Sequence, residues 1–314
     1  MTSLTRYPIS ALPLPPPSRL LIHNLTPDPT TPSVSAFKYT LSNNPSIQRR
    51  ARITAPDSHF SHVSPFPLPF PYEIEPPENP DDAFDKEEYV EQWLAEREAL
   101  VEEAVEQTAS DTDEPLQKLY PASRHNGMEL LGLSHTGLRD CLPHLDVGDA
   151  FENLGKPSLL GHDDSRGKQA EDNKAAATRQ ELIDVLGGHA MLISSDDADV
   201  PFAPWSLRYS GHQFGSWAGQ LGDGRAISIR AFSSFRAVPV QIFQSIIIVD
   251  VTPHPSDPEL TYELQLKGAG RTPFSRRADG LAVVRSSVRE YLCAEGEHPF
   301  PSPSSFCLNA TIQP

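Results

Sequence analysis

The sequence predicts an α+β fold, and three features predict it. Thr261 to Lys267 alternates, with Tyr262, Leu264 and Leu266 on one face and Glu263, Gln265 and Lys267 on the other, the period of a half-buried strand. Val284, Val288 and Leu292 recur at every fourth position and mark an amphipathic helix from about Ala282 to Glu295. Five glycines, Gly211, Gly215, Gly219, Gly222 and Gly224, fall between Ser210 and Arg225 with aromatics between them. Glycine at that density costs backbone entropy and makes sense where a chain turns tightly or comes close to a ligand.

The packed part is expected to occupy about half of the chain. Hydrophobic residues are 38% of the 314, and 32 prolines, densest before residue 80, are about twice the usual share. Residues 1–80 therefore read as an irregular, Pro-rich, basic extension, a linker or wrapping arm, in which Pro65 to Tyr72 favours polyproline II. Its basic, acid-poor start has the composition of a mitochondrial transit peptide, yet Pro8, Pro13, Pro15, Pro16 and Pro17 oppose the amphipathic helix such a peptide needs.

Residues 81–199 read as an acidic helix and a helical lead-in with a polar insertion. Val90, Trp93, Leu94, Arg97 and Val101 share one face of a helix over 85–107 whose other face is acidic. A short helix is expected within 126–140, capped by Ser134 ahead of His135 to Asp140. Residues 156–176 read as a surface insertion. A helix follows with Leu182, Val185 and Leu186 on one face, ended by Gly187 and Gly188.

Charge and cysteines exclude several functions. The net charge is −16, and seventeen acidic residues against Lys86 and Arg97 between Tyr72 and Glu114 account for nearly all of it. The remainder lacks the concentrated basic field that binds nucleic acid. No apolar run is long enough to span a membrane. Cys141, Cys293 and Cys307 have neither metal-ligand nor redox spacing.

Residues 200–295 hold the chemistry. A nucleotide triphosphate needs backbone N–H groups freed by glycines, fixed cations, and partners that hold those cations. Gln220 to Arg225 is a glycine turn entering a strand, Lys267 ends the next strand, and Glu290 lies on the following helix. A strand lysine paired with a helix glutamate is how protein kinases hold ATP phosphates. Taken singly, each piece reads as an ordinary hairpin, a solvated lysine or a surface carboxylate; their order raises them above that. Gly268 to Pro273 (GAGRTP) is not a Walker P-loop, and no Rossmann fingerprint joins a strand to a helix.

Tyr209 to Gly215 (YSGHQFG), Gln220 to Arg225 (QLGDGR), Leu266 to Arg276 (LKGAGRTPFSR), Ala278 to Gly280 (ADG) and Arg285 to Leu292 (RSSVREYL) together resemble the selenoprotein O, or YdiU-type, protein adenylyltransferase family. The blocks cover about 200–230 and 258–295, with fainter similarity to fungal-type members back through 125–155. The resemblance implies a protein-kinase-like fold, here its N-terminal lobe, that binds ATP in a flipped orientation. It implies transfer of AMP to Ser, Thr or Tyr hydroxyls of protein substrates, with Mg²⁺ in complete members. Gly222, Gly224 and Arg225 would contact nucleotide phosphates, Lys267 would bind phosphate and pair with Glu290, and Asp279 and Gly280 would line the site. A mitochondrial location follows from the family, with a cytoplasmic one as the alternative.

Two departures from the family stand out. Residues 230–251 separate Gly224 from Lys267 and carry Ile246-Ile247-Ile248-Val249; they read as a translated intron, with a genuine extra strand as the alternative. After Glu295 the tail 296–314 resembles no family segment, where family members continue into a C-terminal lobe with the catalytic base and the metal ligands. No catalytic or metal-binding residue is therefore assigned in this chain, and 314 residues ending here are expected to be an inactive form of an enzyme or a noncatalytic ATP-binding or protein-interaction fragment.

Overall fold

In the computed structural model, residues 5–12, 14–66, 77, 84–86, 88–89, 92–93, 105–107, 116–121, 128–140, 142–157, 170–230, 245–250, 262–276, 278–297 and 306–312 are described. The architecture is α+β and its sheets are antiparallel. In chain order the elements are α1 (Val34–Asn43), β1 (Phe60–His62), β2 (Val105–Gln107), β3 (Gln117–Pro121), β4 (Glu129–Leu133), α2 (His135–Asp140) and α3 (Ala170–Leu186). Then come β5 (Met191–Ile193), β6 (Trp205–Gln213), β7 (Ser216–Gly222), β8 (Ala226–Arg230), β9 (Ser245–Asp250), β10 (Tyr262–Lys267), α4 (Val284–Glu297) and β11 (Phe306–Ile312).

The large sheet runs β1-β6-β8-β10-β9-β11-β4, with β7 hairpinned onto β6 beyond that path; β2-β3-β5 form a second sheet. Lys267 stands opposite Ala226 of β8, so the lysine-bearing end of β10 lies beside the start of the strand that leaves the glycine turn. Of residues 230–251, 231–244 and 251 lie outside the described residues, and Ser245–Asp250 pairs with β10 on one side and β11 on the other.

The proline-rich beginning, read as a linker or wrapping arm, contributes to the core. Ile9 and Leu12 are buried against Leu142, Leu182, Leu186 and Trp205 in the main cluster. Proline removes donors, so this arm is held through its few remaining backbone groups. The Tyr7 N–H donates to His144 O at 2.8 Å, and Tyr7 O accepts from Asp146 N. Ser10 donates both its N–H and its Oγ–H to Glu181 Oε1, and Lys118 pairs with Oε2 of the same carboxylate at 2.9 Å. The reading as largely irregular also overlooked α1. Its Ser33 Oγ accepts from Ala36 N, and it seats Val34, Phe37 and Leu41 against Met191 and Ile193 in a second cluster.

Several elements match their periodicity. Leu182, Val185 and Leu186 of α3 are buried, and Gly188 follows at φ 74°. That helix begins at Ala170, inside the stretch read as a surface insertion, of which 158–169 lie outside the described residues. Ser134 caps α2 by accepting from Gly137 N at 2.8 Å, and β4 precedes it. Two expectations need correction. The helix over 85–107 starts at Asp85, whose Oδ1 accepts from Glu88 N, but Val105–Gln107 is a strand paired with β3; Val90, Leu94, Arg97 and Val101 lie outside the described residues. The Val284, Val288 and Leu292 stripe of α4 is exposed (44, 46 and 63%) rather than packed. The buried side of α4 carries Ser287, and Tyr291 Oη donates to Leu133 O of β4. Periodicity identifies a face of a helix; it does not say which face meets the sheet.

Candidate functional site

Three stretches meet at the glycine turn between β7 and β8. The turn folds on itself through Gly224 N to Gly222 O (2.8 Å), and it is tied to β6 through Asp223 N to Leu207 O (2.9 Å). The Asp223 carboxylate returns the bond, accepting from Leu207 N and from Gln265 Nε2 of β10. Burial pushes this carboxyl up to about 6, while the Leu207 N–H and the Lys267 charge hold it down.

The second stretch, after β10, clasps the turn. Gly268 N donates to Arg225 O at 2.6 Å, Thr272 Oγ1 to Asp223 O at 2.8 Å, and Ser275 Oγ to Gly224 O. Phe274 packs close against the glycines. A Cβ at Gly222 would stand 2.4 Å from Phe274 Cγ and 2.7 Å from Leu207 O, and one at Gly224 would stand 2.9 Å from Phe274 O. These two glycines are therefore required by packing of protein on protein, besides any close approach of a ligand.

The third stretch comes from the N-terminal arm. Arg52 N donates to Pro273 O at 3.0 Å, Thr54 N to Gln220 Oε1 at 2.9 Å, and Gln220 Nε2 to Arg52 O at 2.8 Å. The Arg49 guanidinium, buried and pushed down to about 9 by that burial, has its Nη1 2.9 Å from where a Cβ on Gly270 would stand and donates to Ser64 O.

Charged side chains collect around this clasp. Lys267 is 8% exposed. Burial, then the neighbouring Arg225, push its ammonium down to about 8, against the opposing pull of Glu290 and Asp223. Burial also lowers Arg225, and Glu290 and Asp279 raise it. Glu290 on α4 thus acts on both cations. Asp279 is exposed and accepts from Leu281 N. Gly280, at φ 74°, lets the chain double back so that Gly280 O accepts from Gly270 N and a Cβ would meet Gly270 O at 2.2 Å. Gly222, Gly224, Arg225, Lys267, Asp279, Gly280 and Glu290 all belong to this one locality.

Sequence reasoning missed six contributors. Asp223 lay inside the quoted QLGDGR block, so its signal was present. Thr272 and Ser275 lay inside the LKGAGRTPFSR block. Arg52 and Thr54 gave no signal, because nothing local marks an irregular segment as a neighbour of residues far along the chain. Glu263 is the sixth: burial pushes its carboxyl up to about 8, with a Ser228 hydrogen bond opposing and the Asp223 charge adding, and its buried Oε1 has no hydrogen-bond partner among the described residues. No group of three His, Cys, Asp or Glu among the described residues could hold a metal ion. No helix among them is long and apolar enough to cross a membrane.

Residues 153–239 and 253–313 match the family described as Protein adenylyltransferase SelO. The matched stretches leave out 240–252, and the second runs through the tail that was expected to resemble no family segment. Relatives named protein nucleotidyltransferase YdiU include one from Nitrosospira multiformis, 41% identical over 153 residues, which is 49% of this chain and 22% of the relative. One from Xanthomonas axonopodis pv. citri is 39% identical over 156 residues (50% and 24%), and one from Rhodopirellula baltica is 42% identical over 132 (42% and 19%). The matched part thus spans 19 to 24% of these relatives, and over it the resemblance carried by the motifs is borne out.

Proposed function

We propose, from the premise that residues 153–239 and 253–313 are SelO-family sequence, that residues 200–295 form the ATP-holding part of a protein adenylyltransferase with a kinase-like N-terminal lobe. One observation carries this reading: a single helix carboxylate, Glu290, acts on both Arg225 and Lys267 beside the clasped glycine turn. Two cations anchored by a carboxylate and set against a fixed turn suit the charge and length of a triphosphate.

In adenylyl transfer, a hydroxyl oxygen of the acceptor protein forms a bond to the α-phosphorus as the bond to the β-phosphate oxygen breaks. Charge then accumulates on the departing pyrophosphate. Arg225 and Lys267 would meet that charge, and their placement before the reaction spares the cost of reorganising water around it. Lys267, with its ammonium pushed down to about 8, keeps its charge at neutral pH. The backbone at Gly222, Gly224 and Gly280 would border the phosphates, and Asp279 would set the Arg225 guanidinium. The family resemblance implies Mg²⁺ in complete members, where it would neutralise part of the triphosphate charge.

Titration of the purified chain with ATP tests the site. Saturable binding that is lost in Lys267→Ala supports it, and binding indifferent to that substitution overturns it. Label transferred to protein from α-labelled ATP by a chain that carries the base identifies adenylyl transfer; label from the γ-position instead makes the enzyme a kinase.

A further inference from the structure

We propose that Arg276 is a further triphosphate-binding residue, an exposed third cation on the rim of the cradle made by Arg225 and Lys267. The inference rests on the nucleotide reading above and extends it.

Four observations carry it. First, Arg276 follows directly on a residue that touches the phosphate turn. Ser275 Oγ donates to Gly224 O, and the Ser275 Cα lies 3.2 Å from where a Cβ on Gly224 would stand. Second, Arg276 sits at φ 54°, a left-handed backbone that a side chain with a Cβ rarely takes. The surrounding turn holds it there: Thr272 N donates to Ser275 Oγ at 2.7 Å, Ser275 N to Thr272 O at 3.1 Å, Ala278 N to Ser275 O at 3.1 Å, and Arg271 Nη2 to Arg276 O at 3.2 Å. Glycine would satisfy this backbone without strain, so an arginine here calls for a reason in its side chain. Third, the Arg276 charge reaches the Tyr209 phenol on β6. Burial and Asp223 of the phosphate turn push that phenol up, and Arg276 pulls it down. Fourth, the Arg276 side chain is exposed, and no carboxylate among the described residues forms an ion pair with it. Arg225 and Lys267, by contrast, already have Glu290, Asp279 and Asp223 around them. An uncompensated guanidinium, held at the edge of a cationic turn by a constrained backbone, suits the outer phosphates of a nucleotide.

Arg276→Gly separates backbone from charge, because glycine accepts φ 54° and removes only the cation. ATP and AMP affinities are measured by calorimetry for the wild-type chain, Arg276→Gly, Arg276→Lys and Lys267→Ala, alongside thermal unfolding. The expected result is about a tenfold weaker ATP affinity in Arg276→Gly, an unchanged AMP affinity, an unfolding midpoint no lower than wild type, and substantial recovery in Arg276→Lys. ATP binding unchanged in Arg276→Gly but lost in Lys267→Ala overturns this proposal and leaves the nucleotide site standing. Equal weakening of ATP and AMP in Arg276→Gly also overturns it, since AMP lacks the outer phosphates. ATP binding absent in wild type, or indifferent to Lys267→Ala, removes the nucleotide reading and this inference together.

Discussion

Substituting Gly222 by alanine separates two reasons for a glycine at the phosphate turn. Carbon atoms in good contact lie about 3.5–4.0 Å apart. The new Cβ would stand 2.4 Å from Phe274 Cγ and 2.8 Å from Phe274 Cβ, so the ring would have to retreat by roughly 1 Å. It would also stand 2.7 Å from Leu207 O, a backbone atom fixed by the bond it accepts from Asp223 N. Overpacking of this kind costs about 1–3 kcal/mol, and the backbone contact puts Gly222→Ala near the upper end. Chemical denaturation of the chain without nucleotide measures it. Phe274→Ala removes one of the two obstacles, so Gly222→Ala should cost about 1 kcal/mol less in that background than in wild type. If Gly222→Ala leaves stability untouched while ATP binding falls, the glycine serves nucleotide approach alone and the packing account is wrong. If the double variant is simply additive, Phe274 is not the neighbour that excludes a side chain.

Further outcomes follow from the buried charges and the N-terminal arm. ATP affinity should stay level up to about pH 8 and then fall toward tenfold per pH unit as Lys267 loses its proton, with no such inflection in Lys267→Arg; a profile flat to pH 9.5 contradicts the assignment. Glu263, raised from 4.5 to about 8, is protonated in the fold while the unfolded chain ionises, so its contribution to stability is lost as pH climbs through that window. Glu263→Gln should therefore raise the unfolding midpoint more at pH 8 than at pH 5, and a difference constant with pH would refute this. Leu12→Ala, at a wholly buried position of the arm, should cost about 2–5 kcal/mol in denaturant unfolding, whereas a cost near zero would mean the arm is not part of the core.

Legibility in the sequence followed the range of the forces involved. α3 and β10 were readable because their periods, and the glycine pair after α3, are local. The site was readable as an ordered series of motifs: the glycine turn, Lys267 and Glu290 each stood in a block with its own pattern. What was not readable depends on distant partners. The Val284, Val288 and Leu292 stripe marked an apolar face that is exposed, while Ser287 is buried and Tyr291 donates to Leu133 O. Proline suppressed every regular pattern before residue 33, yet Ile9 and Leu12 are as buried as any strand residue. The roles of Thr272 and Ser275 lie in hydroxyls reaching carbonyl oxygens about fifty residues earlier, for which composition gives no sign.

The arm that steadies the turn is made well before the residues it binds. Ser10 waits for Glu181, 171 residues later, and Arg52 waits for Gln220, 168 residues later. At ordinary synthesis rates that is roughly ten to thirty seconds before those two contacts can form. The main sheet closes over the same interval by pairing strands far apart in the chain, the slow kind of topology. Slower translation should therefore lengthen the interval in which the arm lacks its contacts to Glu181 and Gln220.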